Sequence, residues 1–188
     1  AHDFGNRDEN KYTEDIFVGY RYFETFAPEK VMFPFGFGLS YTSFELSDKT
    51  VMEADDRIIV SVKVKNIGKA AGKEVVEVYY GAPQGELGKA LKSLAAYEKT
   101  RTLLPGEEQR LVVSFPCANM VSFDDSGKTG EAFCYVLEAG EYPIYVGTVH
   151  DIVAAAERLK LDILKLRRKA RQGRPVVCDI LELYSLVA

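Results

Sequence analysis

The sequence has 188 residues, of which 47% are apolar and 28% are charged, and its formal net charge is -4 at pH 7. This composition fits one domain with a hydrophobic core, or one domain with substantial extensions. The small net charge argues against a nucleic-acid-binding surface, and no apolar run is long enough to cross a bilayer. No basic and apolar leader is visible, and together with the odd number of cysteines this favours a cytoplasmic location.

The beginning of the chain is rich in aromatic residues. Residues 1–11 are polar and predict a loop, whereas the alternation in IFVGYRYF, residues 16–23, predicts a short strand. The run VMFPFGFGLSYT, residues 31–42, places aromatic rings at every second position but also contains proline and glycine. Because proline lacks a ladder donor and glycine packs nothing, this run predicts an extended, kinked connector whose large side chains point into a neighbouring surface.

From residue 44 onwards, short β-rich runs alternate with turn signals. Phe44 and Leu46 alternate with polar neighbours, and Ile58 begins a clean period-two pattern that is typical of a half-buried strand. Turns are predicted at residues 104–107, 124–127 and 138–141, and a glycine-rich loop at residues 81–88. The spacing indicates an antiparallel β-sandwich of the immunoglobulin or fibronectin type III kind. The predicted strands are residues 58–64, 75–80, 91–97, 110–115, 132–137 and 142–146.

The last part of the sequence is ambiguous. Leu159, Leu161 and Ile163 alternate as in a closing strand over residues 158–164, although Leu159, Ile163 and Leu166 also fit a helical stripe. The strand is favoured because a sandwich needs it. Residues 165–174 form a solvated basic run without aromatic residues, which does not predict nucleic-acid binding. The apolar residues 176–188 fit a strand, a helix or a tail.

Candidate chemical groups are few. Four pairs of adjacent carboxylates occur, but neighbours in a strand point to opposite faces and carboxylates in turns usually cap the backbone. The histidines His2 and His150 form no catalytic or metal-binding motif, and no phosphate-binding glycine loop is present, so no cofactor and no metal is predicted. Several tyrosines fit either a sugar-stacking platform or, preferably, the core. These pairs and tyrosines are Glu14–Asp15, Asp55–Asp56, Glu107–Glu108 and Asp124–Asp125, and Tyr79, Tyr80, Tyr97, Tyr142 and Tyr145.

The order of five motifs resembles the C-terminal part of glycoside hydrolase family 3, mainly β-glucosidases. The motifs are EDIFVGYRYFET, FPFGFGLSYTSFELSD, KVKNIGKAAGKEVVEVYY, LKSLAAYEKTRTLLPGEEQRLVVSF and YVLEAGEYPIYVGT, and they span roughly residues 12 to 152. The second is the most specific, and the tail beyond residue 164 departs from the family pattern.

The resemblance implies a division of the chain and a partner. Residues 1–40 would be the end of an α/β sandwich domain and the aromatic connector, residues 41–164 a fibronectin type III-like β-sandwich, and residues 165–188 an unplaced tail or linker. The connector would lay Phe33, Phe35 and Phe37 into the groove between two domains, so without that partner the rings would be exposed.

The family's two catalytic carboxylates lie on domains that have no counterpart here, so no catalytic residue is assigned and the isolated chain is expected to be inactive. The parent protein would hydrolyse terminal, non-reducing β-D-glucosyl residues, and the loop at residues 81–88 would border the mouth of its active site. The partners would be the barrel and α/β domains of the same enzyme or a separate catalytic chain. The alternative is a stand-alone carbohydrate-binding or docking β-sandwich module, and no binding residues are assigned.

Overall fold

The computed structural model describes residues 12–148, apart from residues 35, 36, 39, 131 and 139. Two three-stranded antiparallel sheets, in the orders β1-β2-β5 and β4-β3-β8, lie on either side of the core, and β6 and β7 form a separate hairpin. The predicted β-sandwich is therefore confirmed. The strands are β1 (Phe44–Ala54), β2 (Arg57–Asn66), β3 (Val75–Tyr80), β4 (Ser93–Lys99), β5 (Glu108–Pro116), β6 (Ser122–Asp124), β7 (Cys134–Val136) and β8 (Ile144–Thr148).

The interior follows the alternation that the sequence predicts. On β2, every second side chain from Ile58 to Val64 is fully buried, while the intervening residues lie on the outer face. In the facing sheet, Val78 lies opposite Val146 and both are buried. Burial of a valine or isoleucine side chain contributes about 1.5–3 kcal/mol, so this face supplies most of the stability of the sandwich.

A buried asparagine closes one end of the sandwich. Asn66, the last residue of β2, is inaccessible to solvent. Its Oδ1 accepts hydrogen bonds from Thr42 Oγ1 (2.8 Å) and the Gly68 backbone N–H (3.0 Å), and its Nδ2 donates to the carbonyl oxygens of Ala70 (2.8 Å) and Leu103 (2.9 Å). The side chain thus joins three separate loop segments without leaving a polar atom unpaired.

The edge strand β1 is irregular. Its pairing with β2 shifts register between Ser47 and Thr50, and Asp48 at this bulge has a positive φ of 49°. The Asp48 carboxylate lies 3.0 Å from Lys63 Nζ, which lowers the pKa of Asp48. Arg110 Nη2 lies 3.6 Å from the same oxygen.

The prediction of a strand at residues 16–23 is wrong. Gly19 adopts a positive φ of 59°, which ends the extended run, and an α-helix, α1, covers Tyr20–Phe26. The alternating rings read as strand-like because a seven-residue helix has too few turns for a clear 3.6-residue period. A 3-10 helix, Pro28–Lys30, follows directly, and a second one, Cys117–Met120, follows β5. Residues 158–164, predicted to be a closing strand, lie outside the described residues.

Candidate docking surface

One face of α1 is attached to the segment that leads into β4. The backbone N–H of Leu94 donates to Tyr20 Oη (2.9 Å), and the backbone N–H of Leu91 donates to Thr25 Oγ1 (3.0 Å). Between these two contacts, Lys92 Nζ forms an ion pair with Glu24 Oε2 at 3.0 Å. Because Tyr20 lies in the first turn of the helix and Glu24 and Thr25 lie in the second, the three contacts fix both ends of α1 on the sandwich.

Aromatic and charged groups of the outer sheet face support this attachment. The rings of Tyr20 and Tyr79 meet edge to face at a centroid distance of 5.8 Å, and the Lys92 ammonium lies 5.4 Å from the centroid of the Tyr145 ring. Tyr79 Oη donates to Glu77 Oε2 at 3.0 Å, and Glu77 is only 4% exposed. Burial raises the pKa of Glu77 above its ordinary value, although the hydrogen bond from Tyr79 opposes the shift.

The opposite face of α1 carries three exposed rings, here called the aromatic face: Tyr22, Phe23 and Phe26. Phe17, which precedes the helix, lies beside them. Phe17 and Phe26 meet edge to face at 4.8 Å, and Tyr22 lies 5.5 Å from Phe23 and 5.6 Å from Phe26. Phe26 is 57% exposed, and Tyr22 and Phe23 are also exposed. Large contiguous apolar patches on a protein surface usually mark interaction sites.

The connector carries a second pair of exposed rings. Phe33 and Phe37, which the sequence predicts to be exposed, have 63% and 53% of their side chains accessible, and their rings stack at 4.9 Å. Phe35, the third predicted ring, lies outside the described residues. The exposure expected for the two described rings is confirmed.

Two of the candidate carboxylate pairs contain a carboxylate that holds a turn. Asp124 is buried and accepts hydrogen bonds from the N–H groups of Ser126 (3.0 Å) and Thr129 (2.7 Å) as well as from their hydroxyls. Although burial opposes it, this set of donors holds the pKa of Asp124 well below its usual range. Glu107 likewise accepts from the Leu104 N–H at 2.8 Å. Both carboxylates cap turns, as predicted.

The other carboxylate pairs, tyrosines and histidines named in the sequence analysis lie in turns, in the core, on the surface or outside the described residues. Asp55 and Asp56 both have positive φ and form the tight turn between β1 and β2. Tyr79 and Tyr142 are buried, whereas Tyr97 is 67% exposed on β4, so the expectation of core tyrosines fails there. Within the described ranges, no group of three or more His, Cys, Asp and Glu residues could hold a metal ion. His2 and His150 lie outside the described residues.

In the described part of the chain, no helix is long and apolar enough to cross a membrane.

The residues of the docking surface that the sequence analysis did not identify are polar groups in apolar surroundings. Lys92 and Lys89 lie in the run GKALKSL, where small and apolar neighbours are the only signal that a lysine would be buried.

Comparisons with known proteins agree on one family. A model of the fibronectin type III-like domain matches residues 74–149. A β-glucosidase of Ruminococcus albus is 54% identical over 172 residues, which are 90% of this chain and 18% of that protein. β-Glucosidase A of Butyrivibrio fibrisolvens is 51% identical over 154 residues, covering 73% of this chain and 18% of that protein.

A solved structure supports the same assignment. The β-glucosidase from Paenibacillus barengoltzii superposes with a TM-score of 0.72 and 50% identity over 79% of this chain and 16% of that one. The chain therefore spans about a fifth or less of the length of the relatives that it matches, all of which are larger β-glucosidases. It is the counterpart of the C-terminal region, with its fibronectin type III-like domain, of the β-glucosidases of glycoside hydrolase family 3.

Proposed function

We propose that this chain is a supporting module of a β-glucosidase that hydrolyses terminal, non-reducing β-D-glucosyl residues. The module braces the rest of the enzyme and contributes no catalytic carboxylate. In this proposal, residues 1–40 complete an α/β domain and connect it to the sandwich, residues 41–164 form the sandwich, and residues 165–188 are a tail or linker. The partners are the barrel and α/β domains of the same enzyme.

The observation that carries the proposal is the two-sided character of α1. Three polar contacts fix one face to the sandwich, while the aromatic face stays uncovered. A short helix with this exposure gains little stability on its own, and covering each ring stabilises a junction by about 1.5–3 kcal/mol. The arrangement suits a helix that packs between two domains, with one face against the sandwich and the other against a second domain.

The carboxylate positions support a non-catalytic role. Retaining glycosidases need two carboxyl groups about 5–5.5 Å apart, with one acting as nucleophile and the other as acid and base. Asp124 and Glu107 instead hold turns through backbone hydrogen bonds, and the Asp124 side chain is also fully buried. The catalytic pair would be supplied by the other domains.

The test uses the full-length enzyme that contains this chain, a version that ends before residue 1, and the separate 188-residue chain. We expect the chain alone to show no turnover of a chromogenic aryl β-glucoside and the shortened enzyme to lose activity or stability. Adding the chain back is expected to restore part of that activity. Turnover that co-elutes with the chain, or full activity of the shortened enzyme, would contradict the proposal. A glycan-binding isotherm of the separate chain tests the stand-alone binding module, for which measurable affinity is required.

A further inference from the structure

The helix α1 lacks the features that would keep it helical by itself. It has seven residues, no described side chain caps its first turn, and none of its residues is buried. Isolated helices shorter than about 12 residues are marginal in water. Glu24 lies in the last turn, where a negative charge opposes the helix dipole. The helical conformation therefore depends on contacts with other parts of the molecule.

The contacts that hold α1 come from the sandwich and lie on one side of the helix. A helix turns by about 100° per residue, so Tyr20, Glu24 and Thr25 share one half of its circumference. All three bind residues 91–94, which lead into β4. The aromatic face occupies the other half of α1, and its rings remain exposed. The sandwich thus holds the helix without using these rings.

Lys92 is the central group of this attachment. Its side chain is 13% exposed, and its Nζ lies 3.0 Å from Glu24 Oε2 and 5.4 Å from the centroid of the Tyr145 ring on β8. The ammonium therefore offsets the one carboxylate that opposes the helix dipole. It does so from a partly buried position, where an ion pair is stronger than on an open surface. Lys92 thus links the helical order of α1 to the sheet β4-β3-β8.

We propose that the sandwich orders α1 in advance as a docking helix for an apolar groove on a neighbouring domain of the same enzyme, and that Lys92 is the positioning residue. This inference rests on the proposed function. It goes further because it states what orders the helix, when the order arises and which chemistry the partner surface has. A helix that is ordered before docking spares the association the entropic cost of forming it.

The spacing of the rings indicates the kind of partner surface. Tyr22 and Phe26 are four residues apart and Phe23 and Phe26 three, as in helices that lay an apolar face into a groove. None of the three side chains carries a charge, so a groove that receives them is apolar. The chain spans only 18% of the Ruminococcus albus relative, and the remaining length supplies the neighbouring domain.

Amide hydrogen exchange of the separate 188-residue chain, read by mass spectrometry, tests the positioning role. The peptide that contains α1 reports the N–H groups of Phe23 and Ala27, which donate to the carbonyl oxygens of Gly19 (3.3 Å) and Phe23 (3.0 Å). Lys92→Ala should accelerate exchange in this peptide about three- to tenfold, because the helix opens more often without its ion pair. Exchange in a peptide from β2 should stay unchanged, which separates release of α1 from unfolding of the sandwich.

Three further variants sharpen this test. Lys92→Arg keeps a cation for Glu24 and should retain at least about half of the protection of α1. Lys99→Ala, an exposed lysine at the end of β4, is the matched control and should leave exchange of α1 within about twofold. If Lys92→Ala also accelerates exchange in β2, the variant Lys92→Met decides the matter, because it keeps the apolar stem and removes only the charge.

The full-length enzyme separates this inference from the proposed function. If a neighbouring domain covers the aromatic face, the peptide that contains α1 exchanges more slowly in the enzyme than in the separate chain. Lys92→Ala then has a smaller effect in the enzyme, because the partner also holds the helix.

Equal exchange of α1 in the original chain and in the Lys92→Ala and Lys92→Met variants, with additional protection in the enzyme, would overturn this inference alone. Equal exchange of α1 in the separate chain and in the full-length enzyme would contradict docking through the aromatic face, and would therefore overturn both the inference and the bracing role in the proposed function.

The expected result is protection of α1 in the separate chain that depends on Lys92 but not on Lys99, together with further protection in the enzyme.

Discussion

The interior of the sandwich and the surface of α1 use apolar side chains in opposite ways. Between the sheets, residues such as Ile58 and Phe115, which are paired across β2 and β5, are almost completely buried. On the aromatic face of α1, rings of the same size remain exposed and contact one another and Phe17. The difference shows that the two sheets of the sandwich bury the apolar side chains of the interior between them. In contrast, α1 and the connector have an apolar surface that the described part of the chain does not cover.

The largest effect is expected from truncating the interior. Phe115→Ala in β5 should lower the free energy of unfolding by about 3–5 kcal/mol, because it removes a buried ring and leaves a cavity. Val112→Ala in the same strand is the control, since Val112 is exposed and should change stability by less than about 0.5 kcal/mol. Urea unfolding of the separate chain measures both. Similar losses for the two variants would mean that the face assignment of β5 is wrong.

Removal of the buried asparagine should come next. Asn66→Ala removes four hydrogen bonds, although the Leu103 carbonyl keeps the Gly72 N–H and the Gly68 N–H keeps the Ser43 carbonyl, so we expect a loss of about 2–3 kcal/mol in urea unfolding. Asn66→Asp keeps the acceptor but loses the donors to Ala70 and Leu103, and it should also destabilise. If the alanine variant is as stable as the original protein, the asparagine does not hold the loops together.

The aromatic face is expected to show the reverse pattern. Phe26→Ser should change the stability of the separate chain by less than about 1 kcal/mol, because the ring is already exposed. In the assembled enzyme, the same change should weaken association of the chain with the other domains at least tenfold, as expected for about 1.5–3 kcal/mol of lost burial. Titration of the shortened enzyme with the variant chain measures this. Equal binding by both chains would show that the aromatic face is not the contact.

The smallest effect concerns Glu77, which lies beneath the attachment of α1. Because burial raises its pKa, the folded state binds a proton more tightly than the unfolded state, so stability falls as the pH rises through the ordinary pKa of 4.5 towards the raised value. Glu77→Gln keeps an acceptor for Tyr79 and should reduce this pH dependence. Urea unfolding at pH 4 and pH 8 compares the two proteins. An unchanged slope would assign the pH dependence to other groups.

Much of the sandwich could be predicted from the sequence because its strands alternate cleanly. β2 and β3 agree with the predicted ranges to within two residues. In β2, the alternation of Ile58, Val60 and Val62 determines which face of the strand is buried. β6 was not predicted, whereas β7, which is equally short, lies within the predicted strand at residues 132–137. β1 was only partly recognised, since the bulge at Asp48 interrupts its alternation after Leu46.

The candidate site was less predictable because it depends on contacts between distant residues. The kinked connector could be inferred from proline and glycine between aromatic residues, and the exposure of its rings was expected from the family resemblance, which assigns their partner surface to another domain. The attachment of α1 could not be inferred, because Tyr20 and Leu94 are 74 residues apart and neither position has an unusual composition. The same holds for Lys89 and Glu138, which only the fold brings together.

The bulge in β1 also bears on how the module behaves in a crowded solution. An exposed sheet edge with regular spacing offers unpaired N–H and C=O groups to any extended chain, which is how strand-to-strand aggregates begin. At Asp48 the spacing shifts and the backbone turns, and Lys63 and Arg110 converge on the carboxylate beside it. An extended chain that paired with β1 would have to follow the register on both sides of the bulge. It would also have to displace the ion pair between Lys63 and Asp48. The sandwich thereby discourages unspecific partners at this edge, while the proposed partner binds at α1 instead.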